Sequence, residues 1–128
     1  MLVPAALTLL CAVLTAWAAP ALAGSDILIQ TSPLAGFQYH AGAALFPLMQ
    51  VGDPLILVRE ADNSHDAMAI RVEWRGAMIG YAPRAENADL ARMMDHGVEL
   101  AGRIVHLEKA RDPWRRVLIE VVVPDLGR

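Results

Sequence analysis

Residues 59–84 read READNSHDAMAIRVEWRGAMIGYAPR, and the fold turns on how that string is understood. Its first eight residues carry seven polar side chains, among them Arg59, Glu60, Asp62, Asn63, His65 and Asp66. Hydrophobic residues then fall at every second position. Met68, Ile70, Val72 and Trp74 share one face, while Ala69, Arg71 and Glu73 share the other. A period of two marks a strand with one buried face. Arg75-Gly76 predicts a tight hairpin into a second strand, AMIGYAP. A dense polar loop therefore stands at the mouth of a hairpin strand.

Three chemistries could use such a loop. Asp62, Ser64, Asp66 and Glu73 occupy positions one, three, five and twelve of a calcium loop. The sharp turn at position six requires glycine, and this chain has Ala67 there. A second possibility is catalysis by His65 and Asp66. Ser64, beside His65, points the other way on an extended chain. No serine or cysteine stands in a recognisable nucleophile setting. His40, His65, His96 and His106 lack metal-ligand spacing. These residues imply neither a metal nor a cofactor. The third possibility is local shaping: Asn and Asp bond nearby backbone amides and fold turns.

Working outward, DILIQ (26–30) reads as a first strand and SPLAGFQYHAG as a loop. AALFPLM reads as a helical turn broken by Pro47, and VGDP as a turn before the strand LILVRE. ENADLARMMDHG predicts a helix over about 85–96, with Gly97 placed as its C-terminal cap. VELAGRIVHLE and RRVLIEVVV are the last two strands, joined across KARDPW. The expected class is mainly β: a small OB-like, partly open barrel of about six strands with one covering helix.

The first 23 residues carry no charge and end in Ala21-Leu22-Ala23, a small-x-small cleavage pattern. They read as a secretory signal peptide, or as an uncleaved anchor, since about 18 apolar residues nearly span a bilayer. The first reading makes the protein periplasmic or secreted. The second leaves a membrane contact through this segment alone, and a misassigned start would leave the protein cytoplasmic. Residues 24–128 are enough for one domain with one core. Cys11 is the one cysteine, so no disulfide is expected and cysteine zinc sites are excluded. Eleven basic residues against fourteen acidic give a net charge of −3. That balance disfavours coating duplex DNA, where many phosphates must be neutralised. It leaves room for gripping one or two phosphates.

The string READNSHDAMAIRV followed by GAMIGYAPR resembles the HIRAN domain family. The family pattern is a basic-acidic pair, Asn-x-x-Asp, a small residue with Ile or Val, and then Gly-[Tyr/His]-x-x-[Arg/Lys]. Here these are Arg59-Glu60, Asn63, Asp66, Ala69-Ile70 and Gly80-Tyr81-Ala82-Pro83-Arg84. GFQYHAG stands at the family's aromatic loop and VGDPLILVRE at its lead-in strand. The resemblance covers about residues 27–123.

It implies an OB-like barrel that binds single-stranded DNA at a 3′ end. It also implies a pocket holding Tyr39, Asn63, Asp66, Tyr81 and Arg84, with Gln38 and His40 beside Tyr39 and Trp114 as a further stacking face. Enzymatic activity in larger relatives belongs to fused modules, so a non-catalytic binding role is expected. Where the family carries a basic residue and two aromatics, this chain has Gln38-Tyr39-His40, which reduces one phosphate contact and one stacking surface. A rival expectation is an exported protein-interaction or structural module, with an unidentified protein partner, that keeps the barrel without DNA binding.

Overall fold

The computed structural model describes residues 26–125. The apolar segment 1–23, with its expected cleavage site and Cys11, lies outside the described residues, as do 126–128. Among the described residues no helix is long and apolar enough to cross a membrane.

Six strands form one antiparallel sheet: β1 (Ile27–Pro33), β2 (Pro54–Glu60), β3 (Ala69–Trp74), β4 (Ala77–Tyr81), β5 (Ala101–Leu107) and β6 (Val117–Val123), in the order β1-β6-β5-β2-β3-β4. The sheet curls without closing, as expected of an OB-like open barrel. β2 and β5 pair only at Pro54–Arg103 and Leu55–Gly102. At the other seam the chain leaving β1 meets β4 in a single bridge, Ala35–Tyr81. Two backbone bonds make that bridge, Ala35 N–H to Tyr81 O at 2.8 Å and Tyr81 N–H to Ala35 O at 3.0 Å.

Alternation in β3 puts Ile70, Val72 and Trp74 in the core, all at most 3 % exposed. Met68 precedes the strand and is half-buried against the same core. The opposite face is not simply solvated. Ala69 is buried, and Arg71 and Glu73 form an ion pair of 3.3 Å across that face. Leu55, Ile79, Ile104, Val117, Ile119 and Val121 complete the core from the other strands. Such close-packed apolar burial is the main favourable term for a domain of this size.

Several boundaries differ from the sequence reading. β1 continues to Pro33 because Thr31, Ser32 and Pro33 still pair with β6. Pro47 does not end the helical turn. The short helix α1 (Gly42–Leu45) tightens into a 3-10 turn, Phe46–Leu48, whose early positions tolerate proline. The principal helix, α2 (Ala88–Asp95), starts three residues late, because Pro83 to Glu86 form a turn of their own. It buries Leu90 and Ala91 completely. Gly97 closes it as expected: Gly97 N–H reaches Met94 O, and Val98 N–H reaches Met93 O.

Candidate functional site

The polar string forms the link between β2 and β3. Asn63 shapes it: Oδ1 accepts from His65 N–H at 2.9 Å and from Asp66 N–H at 3.1 Å. Asp66 shapes the entry to β3, because its Oδ1 accepts from Met68 N–H at 2.9 Å. These are local bonds of the kind that Asn and Asp make in turns. The side chains also face outward work. A cavity of about 230 Å³ lies beside them, with Asn63, His65, Asp66, Tyr81 and Arg84 as its polar lining and Ala35, Ala69 and Ala82 as its apolar lining.

Glu60, the last residue of β2, is the hub of this end. Its Oε1 accepts from Asn63 Nδ2 at 3.1 Å and from the Tyr81 hydroxyl at 2.9 Å. Its Oε2 accepts from Arg71 Nη1 at 2.8 Å. Burial alone would raise its pKa, but the three donors and the Arg71 charge outweigh that and hold it below the usual carboxylate range. Burial raises Tyr81, and the bond to Glu60 raises it further, so the phenol stays protonated and donates. Asp66 is also held low. The Met68 N–H contributes most, burial opposes it, and Asn87, Arg84 and Arg59 add to the lowering.

Arg84 is exposed and makes no hydrogen bond or ion pair with the described residues. Its charge acts on Asp66 at a distance, which leaves the guanidinium available to an anion. His40 packs edge-on against Tyr81, with ring centroids 5.9 Å apart. Tyr39 does not line the cavity and is 80 % exposed. Phe37 is the buried residue of the 3-10 turn Phe37–Tyr39, and at three residues per turn Tyr39 comes out on another side. Gln38 is exposed on the same turn. Trp114, half exposed, stands on the 3-10 turn Pro113–Arg115, which packs beside Phe37–Tyr39. Asn63, Asp66, Tyr81 and Arg84 thus gather around one cavity, His40 supports it, and Gln38, Tyr39 and Trp114 stand outside it.

Two residues of this site carried no assigned role in the sequence reading. Asn87 is 2 % exposed and donates to Asp66 Oδ2 at 2.8 Å. It stands at the N-cap position of α2, yet its side chain makes no capping bond and turns to Asp66 instead. Glu60 was visible only as one half of a charged pair. The calcium reading loses its ligands to other partners: Asp66 is engaged by Met68 and Asn87, and Glu73 by Arg71. Among the described residues no three His, Cys, Asp or Glu side chains gather as a metal site.

Comparison with known proteins agrees with the fold. Comparison with curated proteins finds no match. Among solved structures, a protein from Lactobacillus plantarum superposes with a TM-score of 0.61 at 27 % identity, covering 77 % of this chain and 97 % of that one. The HIRAN domain of human HLTF superposes with a TM-score of 0.59 at 20 % identity, covering 78 % of this chain and 80 % of that one, a likeness of fold. The HIRAN domain family model matches residues 28–124, nearly all of the described chain, and the chain belongs to that family.

Proposed function

We propose that this protein is a non-catalytic module that binds single-stranded DNA at a free 3′ end. The observation that carries the reading is the cavity itself, walled by Asn63 and Asp66 on one side and by Tyr81 and Arg84 on the other. At about 230 Å³ it is smaller than pockets for drug-sized ligands, which suits one terminal sugar with its phosphate. Asp66 keeps lone pairs beyond its bonds to Met68 and Asn87, so a terminal 3′-hydroxyl can donate to it. Arg84 can take the adjacent phosphate. The Tyr81 ring, held by Glu60 and backed by His40, offers a fixed apolar face.

Fluorescence anisotropy of the full-length chain with short oligonucleotides tests this, comparing 3′-hydroxyl with 3′-phosphate ends at low and moderate salt. A 3′-phosphate sets two anions together and should bind more weakly. Asp66→Asn keeps an acceptor for Met68 N–H and should narrow that difference. Arg84→Ala should weaken every oligonucleotide and lower the salt slope by about 0.7, one phosphate's worth on a single strand. Absence of binding at low salt would sink the reading. The exported interaction module would then take its place, a rival favoured by the uncharged, exposed Gln38 where the family carries a cation.

A further inference from the structure

Residues 109–116 carry four of the chain's eleven basic residues, in a protein of net charge −3. They form the connection from β5 to β6. The acid among them, Asp112, is engaged locally, accepting from Trp114 N–H at 3.0 Å. Arg115 is paired with Glu108 at 2.9 Å. Lys109, Arg111 and Arg116 remain, and all three line one cavity of about 310 Å³ together with Ala43, Phe46 and Ala110. Among the described residues no acidic side chain lines it.

Lys109 and Arg111 make no hydrogen bond or ion pair with the described residues. Arg116 is half-buried and anchored through Nε, which donates to the Ala110 carbonyl at 2.8 Å. Its two terminal nitrogens are unpartnered among the described residues. A guanidinium held by its own loop has already lost much of its rotamer freedom, so less is lost when it grips a ligand. Three cations around one cavity repel each other, and an anion between them relieves that repulsion.

The position of this cavity matters as much as its charge. His40 touches Tyr81, a wall of the 3′-end cavity. Tyr39 follows, and its turn packs beside the turn bearing Trp114. Both rings are exposed, at 80 % and 50 %. Arg111 and Arg116 flank the Trp114 turn and line the cationic cavity. The elements bearing these side chains therefore touch in succession: Tyr81 with His40, the turn of Tyr39, and the turn of Trp114 between Arg111 and Arg116.

We propose that the cavity of Lys109, Arg111 and Arg116 is a second phosphate site, which holds the phosphodiester backbone of a bound strand on the 5′ side of its terminal nucleotide. Tyr39 and Trp114 offer stacking faces to the bases between. The inference rests on the strand-binding reading above and extends its footprint from one nucleotide to several.

The test is anisotropy of the full-length chain with a dinucleotide and a decanucleotide, each with a free 3′-hydroxyl, over a salt series. Lys109→Gln with Arg111→Gln removes two cations and leaves Arg116 to shape the loop. Wild-type protein should bind the decanucleotide more tightly than the dinucleotide. The double variant should lose that length gain and keep dinucleotide affinity. Its decanucleotide salt slope should fall by about 1.4, at about 0.7 per phosphate, so a fourfold rise in salt costs it about 7-fold less affinity than wild type. The charge-keeping pair Lys109→Arg with Arg111→Lys should retain the wild-type slope. Equal slopes in wild type and double variant overturn the proposal. So does saturation by inorganic phosphate at matched ionic strength without any length gain in the oligonucleotides. If wild type binds the dinucleotide and gains nothing with length, this site fails while the end reading stands. If decanucleotides bind without regard to the 3′ end and the double variant loses them, the end reading fails and this site stands. If no oligonucleotide binds, both fail.

Discussion

Tyr81 donates its hydroxyl to Glu60 across 2.9 Å, and the same carboxylate oxygen accepts from Asn63 at 3.1 Å. One acid therefore fastens both walls of the end cavity, Asn63 on the β2–β3 link and Tyr81 at the end of β4. The Asn63 bond is local in the chain, but the Tyr81 bond joins positions 21 apart. The arrangement exists only once β2, β3 and β4 are in register.

Glu60→Ala should act on fold and site together. It strands the half-buried Tyr81 hydroxyl, a loss that costs about 1–3 kcal/mol, and leaves Arg71 paired with Glu73 alone. It also frees the Tyr81 ring and the Asn63 amide. Oligonucleotide binding should weaken in conditions where urea titration shows the variant fully folded. Unchanged binding by a folded Glu60→Ala protein would mean that the walls hold themselves.

Trp74→Ala should act on fold alone. Trp74 is 3 % exposed, and its indole N–H donates to Asp53 Oδ2 at 2.9 Å. Arg75 lies over the ring at 4.5 Å from the centroid. Removing a buried tryptophan costs about 3–5 kcal/mol. The urea midpoint should drop accordingly. Trp74 lies at the hairpin end of β3, away from the link that builds the cavity, so folded protein at low temperature should bind as wild type does.

The contrast between those two residues marks what could be read from the string. Trp74 was legible because alternation alone assigns a strand its faces. The hairpin at Arg75-Gly76 and the stop at Gly97 were legible for the same reason: each depends on a few neighbouring residues. Asn63 and Asp66 were legible as loop-formers, and the family pattern marked them with Tyr81 and Arg84 as one pocket. The hub role of Glu60 was not legible, because it depends on cross-strand register, and the eight residues between β2 and β3 leave register open. Asn87 was hidden for a different reason. Asparagine before a helix has an ordinary local job, and only the tertiary approach of α2 to the β2–β3 link gives it another.

Acid should loosen both ends of the barrel. Asp53 is held low chiefly by the Trp74 bond, then by Gln50 N–H, against some burial. Asp66 and Glu60 are also held below their ordinary values. A carboxyl with a depressed folded pKa binds fewer protons folded than unfolded. Its stabilisation is therefore complete above the unfolded pKa, about 4, and is lost as pH falls through the folded value. The urea midpoint should fall as pH drops below about 4. Glu60→Gln should flatten part of that fall. An acid limb of equal steepness in wild type and variant would remove Glu60 from the account.

Gly80→Ala should damage the site through the backbone. A Cβ at Gly80 would stand 2.7 Å from the Ala35 carbonyl oxygen, closer than Cβ atoms in real structures approach. That carbonyl accepts from Tyr81 N–H at 3.0 Å, so the bridge and the added methyl compete for one space. The backbone at Gly80, with φ of 155°, is also one that L side chains rarely adopt. Overpacking of this kind costs about 1–3 kcal/mol. Gly76→Ala separates the two causes. Gly76 has a positive φ of 81° and nothing within 4 Å of an added Cβ, so only backbone strain applies there, about 1–2 kcal/mol. Both variants should lower the urea midpoint. Gly80→Ala alone should weaken oligonucleotide binding while folded, because Tyr81 and Ala35 both line the end cavity and must shift with the bridge. Its amide exchange at Tyr81 and Ala35 should also quicken relative to Gly76→Ala. Equal binding and equal exchange in the two variants would show that the bridge tolerates the methyl and that the glycine of the Gly80-Tyr81 pair is required for φ alone.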